Sequence, residues 1–361
     1  MFLHRLHLYN FKSYEKAEFV FSKNINCFTG ENGVGKTNVL DAIHYLCLTK
    51  SYFNSFDQQL IRNEQISFKI SGNFMLNSEE MEVKCLLPKA QKKELWLNDI
   101  KYTKLAKHIG LLPIVMVAPD DHVLIYGSSE ERRRFIDTTL SQIDAEYLEA
   151  LQEYNKYLMQ RNALLKQFAE QQIFDSNLLL AYDVKLAPLN SYIFEKRKTF
   201  IAELVPVFNT LYNNLSNGNE TVALEYDSSL HFKEGAALLR ENIEKDRIMR
   251  RTSEGIHRDD LAFTMRGEAV KKFGSQGQQK TYLLSLKLAQ AFLLEKALNK
   301  SPLLLLDDIF DKLDLQRSEN LLRYLKVNYK GQIFITDTQR TRIEKHFGDT
   351  INEIEIFEIS R

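Results

Sequence analysis

The residues with the clearest chemical potential form a glycine-rich segment near the start of the chain. They fit the pattern G-x-x-x-x-G-K-[ST] and are Gly30, Glu31, Asn32, Gly33, Val34, Gly35, Lys36 and Thr37. Glycines allow backbone conformations in which successive N–H groups face one phosphate. Lys36 is predicted to reach the β- and γ-phosphates and to serve both binding and hydrolysis, and the Thr37 hydroxyl to ligate Mg²⁺. The segment therefore predicts a nucleoside triphosphate site.

A second candidate site is a pair of carboxylates at the end of an apolar run. Leu303–Leu306 is unbroken aliphatic sequence, which is typical of a fully buried parallel strand, and Asp307 and Asp308 follow it directly. Ligands bind at the carboxyl ends of such strands. We expect Asp307 to hold Mg²⁺, directly or through water, and Asp308 to orient or deprotonate an attacking water. Neighbouring side chains diverge at a strand end, so the two acids should have separate tasks.

A third candidate is the segment Ser275, Gln276, Gly277, Gln278, which precedes a predicted amphipathic helix over Thr281–Ala297. One interpretation is a capping box with Ser275 as N-cap and Gln278 as its partner. A cap alone does not explain Gly277, which lowers local helix stability. The other interpretation is a helix end that donates to a γ-phosphate. The two are compatible, because one cap can serve both.

The elements that must position these residues alternate between strand and helix. The apolar stretch Ile25–Phe28 predicts a strand before the glycine-rich loop, and the pattern after the loop predicts a helix that starts near Gly35. A period of two over Ile66–Leu97 predicts an antiparallel meander. Further strands are predicted at Gln332–Thr336 and at Ala269–Phe273.

The middle of the chain has a helical pattern, from about Glu130 to Leu215. Its first apolar seam is interrupted by Arg161, and two further apolar series follow, Leu179–Phe194 and Phe200–Leu215. The pattern predicts an α/β domain split by a helical insertion.

Composition narrows the class of protein. The 361 residues include 48 basic and 48 acidic side chains, so the net charge is zero and any nucleic-acid binding must come from local patches. Three cysteines do not make a disulfide framework. No apolar run approaches the length of a membrane span or of a signal peptide, and the expected compartment is the cytoplasm.

Two clusters of cationic residues leave alternatives open. Arg132, Arg133 and Arg134 are successive, so they cannot share one helix face. They could form a DNA patch, pair with nearby acids, or contact the nucleotide of a partner subunit. His257 and Arg258 could lie near the nucleotide or have a core or interface role.

Taken together, the motifs resemble the ABC-type ATPases, more narrowly the DNA-repair branch that includes SMC proteins, and most closely the RecF family of bacterial recombination mediators. The segments that carry the resemblance are Leu8–Tyr14, Ala118–Asp121, Glu131–Asp137, Gly255–Leu261, Phe273–Lys280 and Asp307–Asp314.

The resemblance implies an α/β fold: an ABC-type ATPase head of the P-loop NTPase class, with a mixed sheet, an antiparallel subdomain and an inserted helical lobe. The implied domains are 1–118 plus 255–361 for the ATPase and 119–254 for the lobe. It also implies that two subunits sandwich two ATP molecules, with the phosphate loop of one facing Ser275–Gln278 of the other. Lys12 would then bind nucleotide, and Asp314 would lie in a loop that crosses the interface.

The function implied by the resemblance is ATP-dependent DNA binding in recombinational repair and replication restart. ATP would join two subunits around a duplex or a single/double-strand junction, and hydrolysis would release the DNA. RecR is the implied partner, RecO acts in the same pathway, and RecA loading is the outcome.

Two departures from ABC ATPases predict slow hydrolysis. Asp308 replaces the usual Glu, although the RecF family is similar in using Asp, and Phe334–Thr338 lacks the histidine of transporter-type proteins. A weak, DNA-stimulated ATPase that serves as a switch is therefore one interpretation. The alternative is an ATP-binding scaffold for protein interactions with negligible hydrolysis. An ABC transport subunit is disfavoured because no membrane span is present, and an SMC-like protein because the insertion is too short for long arms.

Overall fold

The computed structural model describes residues 1–216, 220–312, 315–348 and 354–360. Contacts between Cα atoms group the chain into two compact units. The first comprises Met1–His122, Thr210–Asn219 and Ser275–Arg361, and the second Val123–Asn209 and Glu220–Gly274. Residues 255–274 thus group with the second unit, whereas the sequence assigned them to the ATPase domain; the functional division remains a prediction.

The strands, numbered in chain order, fall into three sheets. They are β1 (Phe2–Phe11), β2 (Tyr14–Val20), β3 (Ile25–Thr29), β4 (Ser67–Leu76), β5 (Glu79–Pro88), β6 (Glu94–Leu97), β7 (Ile100–Lys101), β8 (Ile114–Val117), β9 (Val222–Asp227), β10 (Asp260–Met265), β11 (Glu268–Ala269), β12 (Leu303–Leu306), β13 (Ile333–Asp337) and β14 (Ile354–Glu358).

The α-helices connect these strands or form the insertion. They are α1 (Lys36–Leu48), α2 (Val123–Tyr126), α3 (Ser129–Ile143), α4 (Ala145–Gln171), α5 (Ser176–Ser216), α6 (Gly235–Glu241), α7 (Ile243–Met249), α8 (Val270–Phe273), α9 (Gln276–Leu298), α10 (Leu315–Asn328) and α11 (Arg340–Phe347). None of the helices in the described ranges is long and apolar enough to cross a bilayer.

The first unit contains two sheets of different kinds. One has the strand order β14-β3-β13-β12-β8, and all its pairings are parallel. The other has the order β2-β1-β4-β5-β6-β7 and is antiparallel, which confirms the meander predicted over Ile66–Leu97. The predicted mixed α/β fold with an antiparallel subdomain and a helical insertion is confirmed.

Burial on both faces explains the apolar run at β12. Its four leucines are fully buried, because β12 lies between β8 and β13 within the parallel sheet. Leu306 is paired with Val117 on one side and Ile335 on the other, and Asp337 of β13 is paired with Thr29 of β3. The carboxyl ends of β3, β12 and β13 therefore meet at one edge, where the site must lie.

Aromatic side chains fill the core between the parallel sheet and the antiparallel sheet. Phe21 packs edge-to-face on Phe334 at 5.0 Å between ring centroids, and Phe28 stacks on Phe357 at 5.3 Å. Such pairs contribute beyond the area that they bury. The cysteines Cys27, Cys47 and Cys85 are free thiols within the same unit, and burial raises the pKa of each well above its ordinary value.

Helix α9 differs from its prediction. The sequence favoured an amphipathic helix over Thr281–Ala297, but α9 begins at Gln276, ends at Leu298, and is buried on nearly all faces from Gln279 to Leu294. Its polar side chains are buried with partners: the Lys287 ammonium lies 2.9 Å from the Asp121 carboxylate and donates to the Tyr52 hydroxyl. Pairing offsets the cost of burying such a charge.

The second unit is mainly helical, as predicted, with a small antiparallel sheet of order β11-β10-β9. The two apolar series predicted after residue 179 belong to the one helix α5, which contains Pro188 and Pro206. Buried side chains such as Ile193 and Phe208 hold it, so the breaks that proline usually causes do not divide it. The strand expected at Ala269–Phe273 is wrong: β11 ends at Ala269, and Val270–Phe273 is helical.

Arg161, which interrupts the predicted apolar seam, is a fully buried cation of the second unit. Its guanidinium lies 2.6 Å from Asp183 and 2.6 Å from Asp246, and donates to the Thr252 hydroxyl at 2.9 Å. The interruption is therefore compensated within the chain.

Arg132, Arg134 and His257 also have partners inside this unit. Arg132 forms a bidentate pair with Asp260, at 2.6 and 3.0 Å, and Arg134 pairs with Glu131 at 3.1 Å. His257 lies between the Tyr154 hydroxyl and the Thr252 carbonyl, and burial lowers its pKa to about 4.

Candidate nucleotide-binding site

The glycine-rich segment connects β3 to α1 in the first unit. Gly30, Gly33 and Gly35 all have positive φ. At Gly35 a Cβ atom would lie 2.7 Å from the Ser13 hydroxyl, so both the backbone angle and the space require glycine. Gly35 is also the N-cap of α1, and no side chain caps the helix there. The Asn38 N–H donates to the Gly35 carbonyl at 2.9 Å, and the positive end of the helix is open to an anion.

Lys36 closes over this loop. Its ammonium donates to the Gly30 carbonyl at 2.8 Å and to the Glu31 carbonyl at 2.9 Å, and only 5% of the residue is exposed. The cation is therefore held against the backbone of the loop, close to the start of α1. An ammonium has three donors, so one remains for a ligand.

Thr37 and Asp307, predicted from separate motifs to hold Mg²⁺, are brought together. The Thr37 hydroxyl lies 2.9 and 3.1 Å from the two carboxylate oxygens of Asp307. Their approach follows from the parallel sheet, because Thr37 lies in the first turn of the helix after β3 and Asp307 directly follows β12. Hydroxyl and carboxylate oxygens fit Mg²⁺, which takes one or two carboxylates and completes its shell with phosphate and water. The described residues contain no cluster of three or more His, Cys, Asp or Glu arranged for a metal.

The Asp307 carboxylate is 4% exposed, and burial raises its pKa from 3.8 to about 6. Neighbouring Asp308 raises it further, whereas hydrogen bonds from Thr336 and Thr37 lower it. Asp307 is thus mostly ionised at neutral pH, and it is close enough to its titration range for its charge to depend on its donors.

Thr336 is a site residue that the sequence analysis missed. Its hydroxyl donates to Asp307 at 2.8 Å and accepts from the Asp308 N–H at 2.8 Å, and the residue is fully buried. The sequence drew attention to Phe334–Thr338 only for its missing histidine. Thr336 could have been suspected from the sequence, because it lies near the end of a strand that belongs to the same parallel sheet.

Asp308 lies beside this pair with a different environment. Its φ is 46°, in the left-handed region, and its carboxylate is partly exposed, with Oδ1 3.5 Å from the Thr336 hydroxyl. Asp307 is directed to Thr37, so the two neighbouring acids do face different groups. The assignment of Asp308 to the attacking water remains a prediction.

Lys12, predicted to bind nucleotide, has its ammonium 2.6 Å from the buried Asp41 carboxylate of α1. Asp41 also accepts from the Ser51 hydroxyl and the Tyr52 N–H, both at 2.7 Å. Lys12 nevertheless lines a polar cleft of about 680 Å³ beside the glycine-rich loop, together with Ser13, Asn38, Asn54, Gln59 and Arg62 among others.

The Ser275 segment forms the predicted capping box at the start of α9. The Ser275 hydroxyl accepts from the Gln278 N–H at 3.3 Å, and the Gln278 side chain accepts from the Ser275 N–H at 2.7 Å. A Cβ at Gly277 would lie 2.3 Å from Nη1 of Arg317, at the flexible end of a side chain that can move aside. The phosphate role of Ser275–Gln278 remains a prediction, and Asp314 lies outside the described residues.

Comparisons with known proteins bear on this arrangement. The family model described as RecF/RecN/SMC N terminal domain matches residues 2–356. A DNA replication and repair protein RecF from Flavobacterium johnsoniae is 44% identical, over 99% of this chain and 100% of its own.

Solved structures of RecF and of an SMC head are also similar to this chain. One, described as the recombination mediator protein RecF-ATP in the RecFOR pathway, is 28% identical, with a TM-score of 0.87 over 94% of this chain and 92% of that one. An SMC head bound to the C-terminal winged-helix domain of ScpA is 17% identical, with a TM-score of 0.58 over 96% and 92% of the two chains. This second likeness shows the fold alone.

Proposed function

Because the chain belongs to the RecF family of DNA replication and repair proteins, we propose that it is an ATP-dependent DNA-binding protein of recombinational repair and replication restart. The observation that carries the proposal is the meeting of the glycine-rich loop with Asp307, Asp308 and Thr336 at one edge of the parallel sheet. The likeness to a RecF-ATP structure supports ATP as the nucleotide.

The nucleotide site has a role for each group. The backbone N–H groups of Gly30–Thr37 and the Lys36 ammonium bind the phosphates, and the cleft beside Lys12 takes the nucleoside. Thr37 and Asp307 hold Mg²⁺, which supplies neutralisation of the phosphate charge. Asp308 orients or deprotonates the attacking water. Its carboxylate is separate from the metal ligands, so binding and hydrolysis depend on different acids.

Dimerisation couples this site to DNA. Ser275–Gln278 of one subunit faces the γ-phosphate in the other, and the positive end of the 23-residue helix α9 favours that anion. Only ATP has the γ-phosphate that both subunits bind, so ATP joins the dimer and ADP releases it.

The ATP dimer clamps a DNA duplex or a single/double-strand junction, and slow hydrolysis lets the DNA go. The RecFOR pathway named for the similar RecF-ATP structure supports RecR and RecO as partners in the same pathway. RecA loading is the outcome that the family resemblance implies. Localisation in the cytoplasm follows from a DNA substrate.

The test is to measure molar mass by light scattering and ATP hydrolysis, each with and without duplex or gapped DNA. We expect ATP, but not ADP, to give dimers, and DNA to stimulate a slow hydrolysis. Lys36→Met is the matched control, since it removes the loop cation and should abolish ATP binding in a folded chain. A chain that stays monomeric with saturating ATP and DNA contradicts the proposal.

One observation favours a second candidate, a scaffold that binds ATP with negligible hydrolysis. Asp308 is one methylene shorter than the usual Glu, and Thr336 fixes its N–H in a left-handed backbone conformation. Both features limit the reach of its carboxylate. ATP-dependent dimers without detectable DNA-stimulated hydrolysis would support the scaffold over the switch.

A further inference from the structure

A short loop of the second unit is held by buried hydrogen bonds on every side. Between residues 252 and 259, the Thr252 carbonyl is 3.0 Å from the His257 ring, the Ile256 N–H donates to Asn190 at 3.1 Å, and Arg197 donates to the Ile256 carbonyl at 2.7 Å. The loop is therefore a rigid platform, and side chains that project from it are presented at low entropic cost.

Three exposed arginines, on this loop or directly before it, have no ion-pair partners among the described residues. Arg250 and Arg251 precede it and Arg258 projects from it, and none of the three has a carboxylate within ion-pair distance in the part of the chain that the structure describes. Arg133, on α3, donates only to neutral oxygens, the Ser129 hydroxyl and the Asp259 carbonyl, both at 2.7 Å. We call Arg133, Arg250, Arg251 and Arg258 the arginine surface.

Two contacts keep the arginine surface together. Arg133 is bonded to the carbonyl of the residue that follows Arg258, and the hydrogen bond between Thr252 and His257 closes the chain between Arg251 and Arg258. The charges of Arg258 and Arg133 also help to lower the pKa of His257, after burial. Arg258 and Arg133 thus both act electrostatically on one end of the platform, in a chain whose net charge is zero.

We propose that the arginine surface binds the phosphate backbone of DNA. This inference rests on the proposed function, since it assigns the DNA-binding surface of the same protein. A guanidinium binds phosphate bidentately, and arginine leads lysine at such sites. Exposed arginines on a rigid loop and directly before it suit a row of phosphates, whereas a single nucleotide is bound by a glycine-rich turn of the kind at Gly30–Thr37.

The control comes from the same helix. Arg134 is exposed and adjacent to Arg133, but it pairs with Glu130 and Glu131. The variant Arg134→Gln removes the same charge as Arg258→Gln from a position outside the arginine surface. Arg258→Lys keeps the charge and loses the bidentate geometry, so it separates general attraction from phosphate binding.

The experiment measures the affinity of a fluorescent duplex by anisotropy at saturating ATP, over a series of salt concentrations. Each phosphate contact contributes about −0.9 to the slope of log K against log salt. The double variant Arg251→Gln/Arg258→Gln should therefore lose about 1.8 from the slope, which corresponds to about 60-fold weaker binding at 0.1 M salt. Arg134→Gln should follow the parent, and Arg258→Lys should retain most of the slope.

The outcomes separate the two claims. If the parent chain does not bind duplex with ATP, the proposed function fails and this surface fails with it. If the parent binds and the double variant keeps the same affinity and slope, the surface alone is wrong. If the folded double variant loses ATP-driven dimerisation in the absence of DNA, these arginines act on the partner's nucleotide and the proposal is overturned.

Discussion

The substitution Thr336→Val tests whether one hydroxyl organises both carboxylates of the candidate site. The side chain is fully buried and keeps nearly the same shape, so the change removes a donor to Asp307 and an acceptor for the Asp308 N–H. A hydrogen bond to a charged group is worth about 1.5–3 kcal/mol, and a buried N–H without an acceptor costs about 1–3 kcal/mol. Because the two effects overlap, we expect a loss of about 2–4 kcal/mol in the free energy of unfolding.

The pH dependence of this loss has a definite sign. The folded-state pKa of Asp307, about 6, is above its ordinary value of 3.8, so ionising it costs stability as pH rises through that range. The Thr336 hydroxyl lowers this pKa, and its removal raises the pKa further. The deficit of the variant should therefore be smaller at pH 5 than at pH 8. Mg²⁺-dependent ATP binding, which needs the ionised carboxylate, should also shift to higher pH.

The assays are urea unfolding at pH 5 and pH 8, and ATP titrations with Mg²⁺ over the same range. Thr338→Val is the matched control, because it makes the same change two residues along the chain, where the side chain is only partly buried. A Thr336→Val chain within about 0.5 kcal/mol of the parent at pH 8, the usual scatter of surface substitutions, with unchanged Mg²⁺ dependence, would refute the reasoning.

Three further predictions address the dimer, the hydrolysis and the fold. Ser275→Arg should block ATP-driven dimers in light scattering but leave ATP binding by the monomer; dimers of normal stability would contradict the facing arrangement. Asp308→Asn should slow hydrolysis, leave ATP binding unchanged and prolong the DNA complex. If the variant releases DNA as fast as the parent, the scaffold is favoured. Arg161→Met should destabilise the chain by about 3–5 kcal/mol, because Asp183 and Asp246 lose their buried cation. Burial raises the pKa of Asp183 and Arg161 lowers it, so this deficit should shrink between pH 7 and pH 4 in urea unfolding.

The parts of the site that follow from local sequence could be predicted. The glycine-rich loop and the acids after β12 are each recognisable from residue type and a neighbouring element, and parallel strands bring their ends to one edge. The position of Thr336 near a strand end was visible in the sequence, but its contacts with both acids could not be predicted, because they depend on β13 lying between β3 and β12. That order is a property of pairing between distant segments.

The errors in the predicted fold also arise from contacts between segments that are distant in sequence. The polar residues of α9 predicted a solvent-exposed face, but this face is buried. The partners that allow Lys287 to be buried are Asp121 and Tyr52, which are far away in sequence. Proline inside α5 opposes a continuous helix through its local backbone preference. The packing that buries Ile193 and Phe208 comes from tertiary contacts, which a local pattern does not show. Local preference therefore predicted element types well, and failed where contacts across the chain outweigh it.

The strand order of the parallel sheet also constrains how the chain folds during synthesis. β3, which leads into the phosphate loop, is paired on both sides with strands made roughly 300 residues later, β13 and β14. The antiparallel sheet, by contrast, is complete within residues 2–101. At about 5–20 residues per second, the ribosome takes about 15–60 s to supply the partners of β3. During that interval β3 has two unpaired edges, so a stalled or truncated chain exposes an apolar strand to aggregation before the loop that it supports has formed.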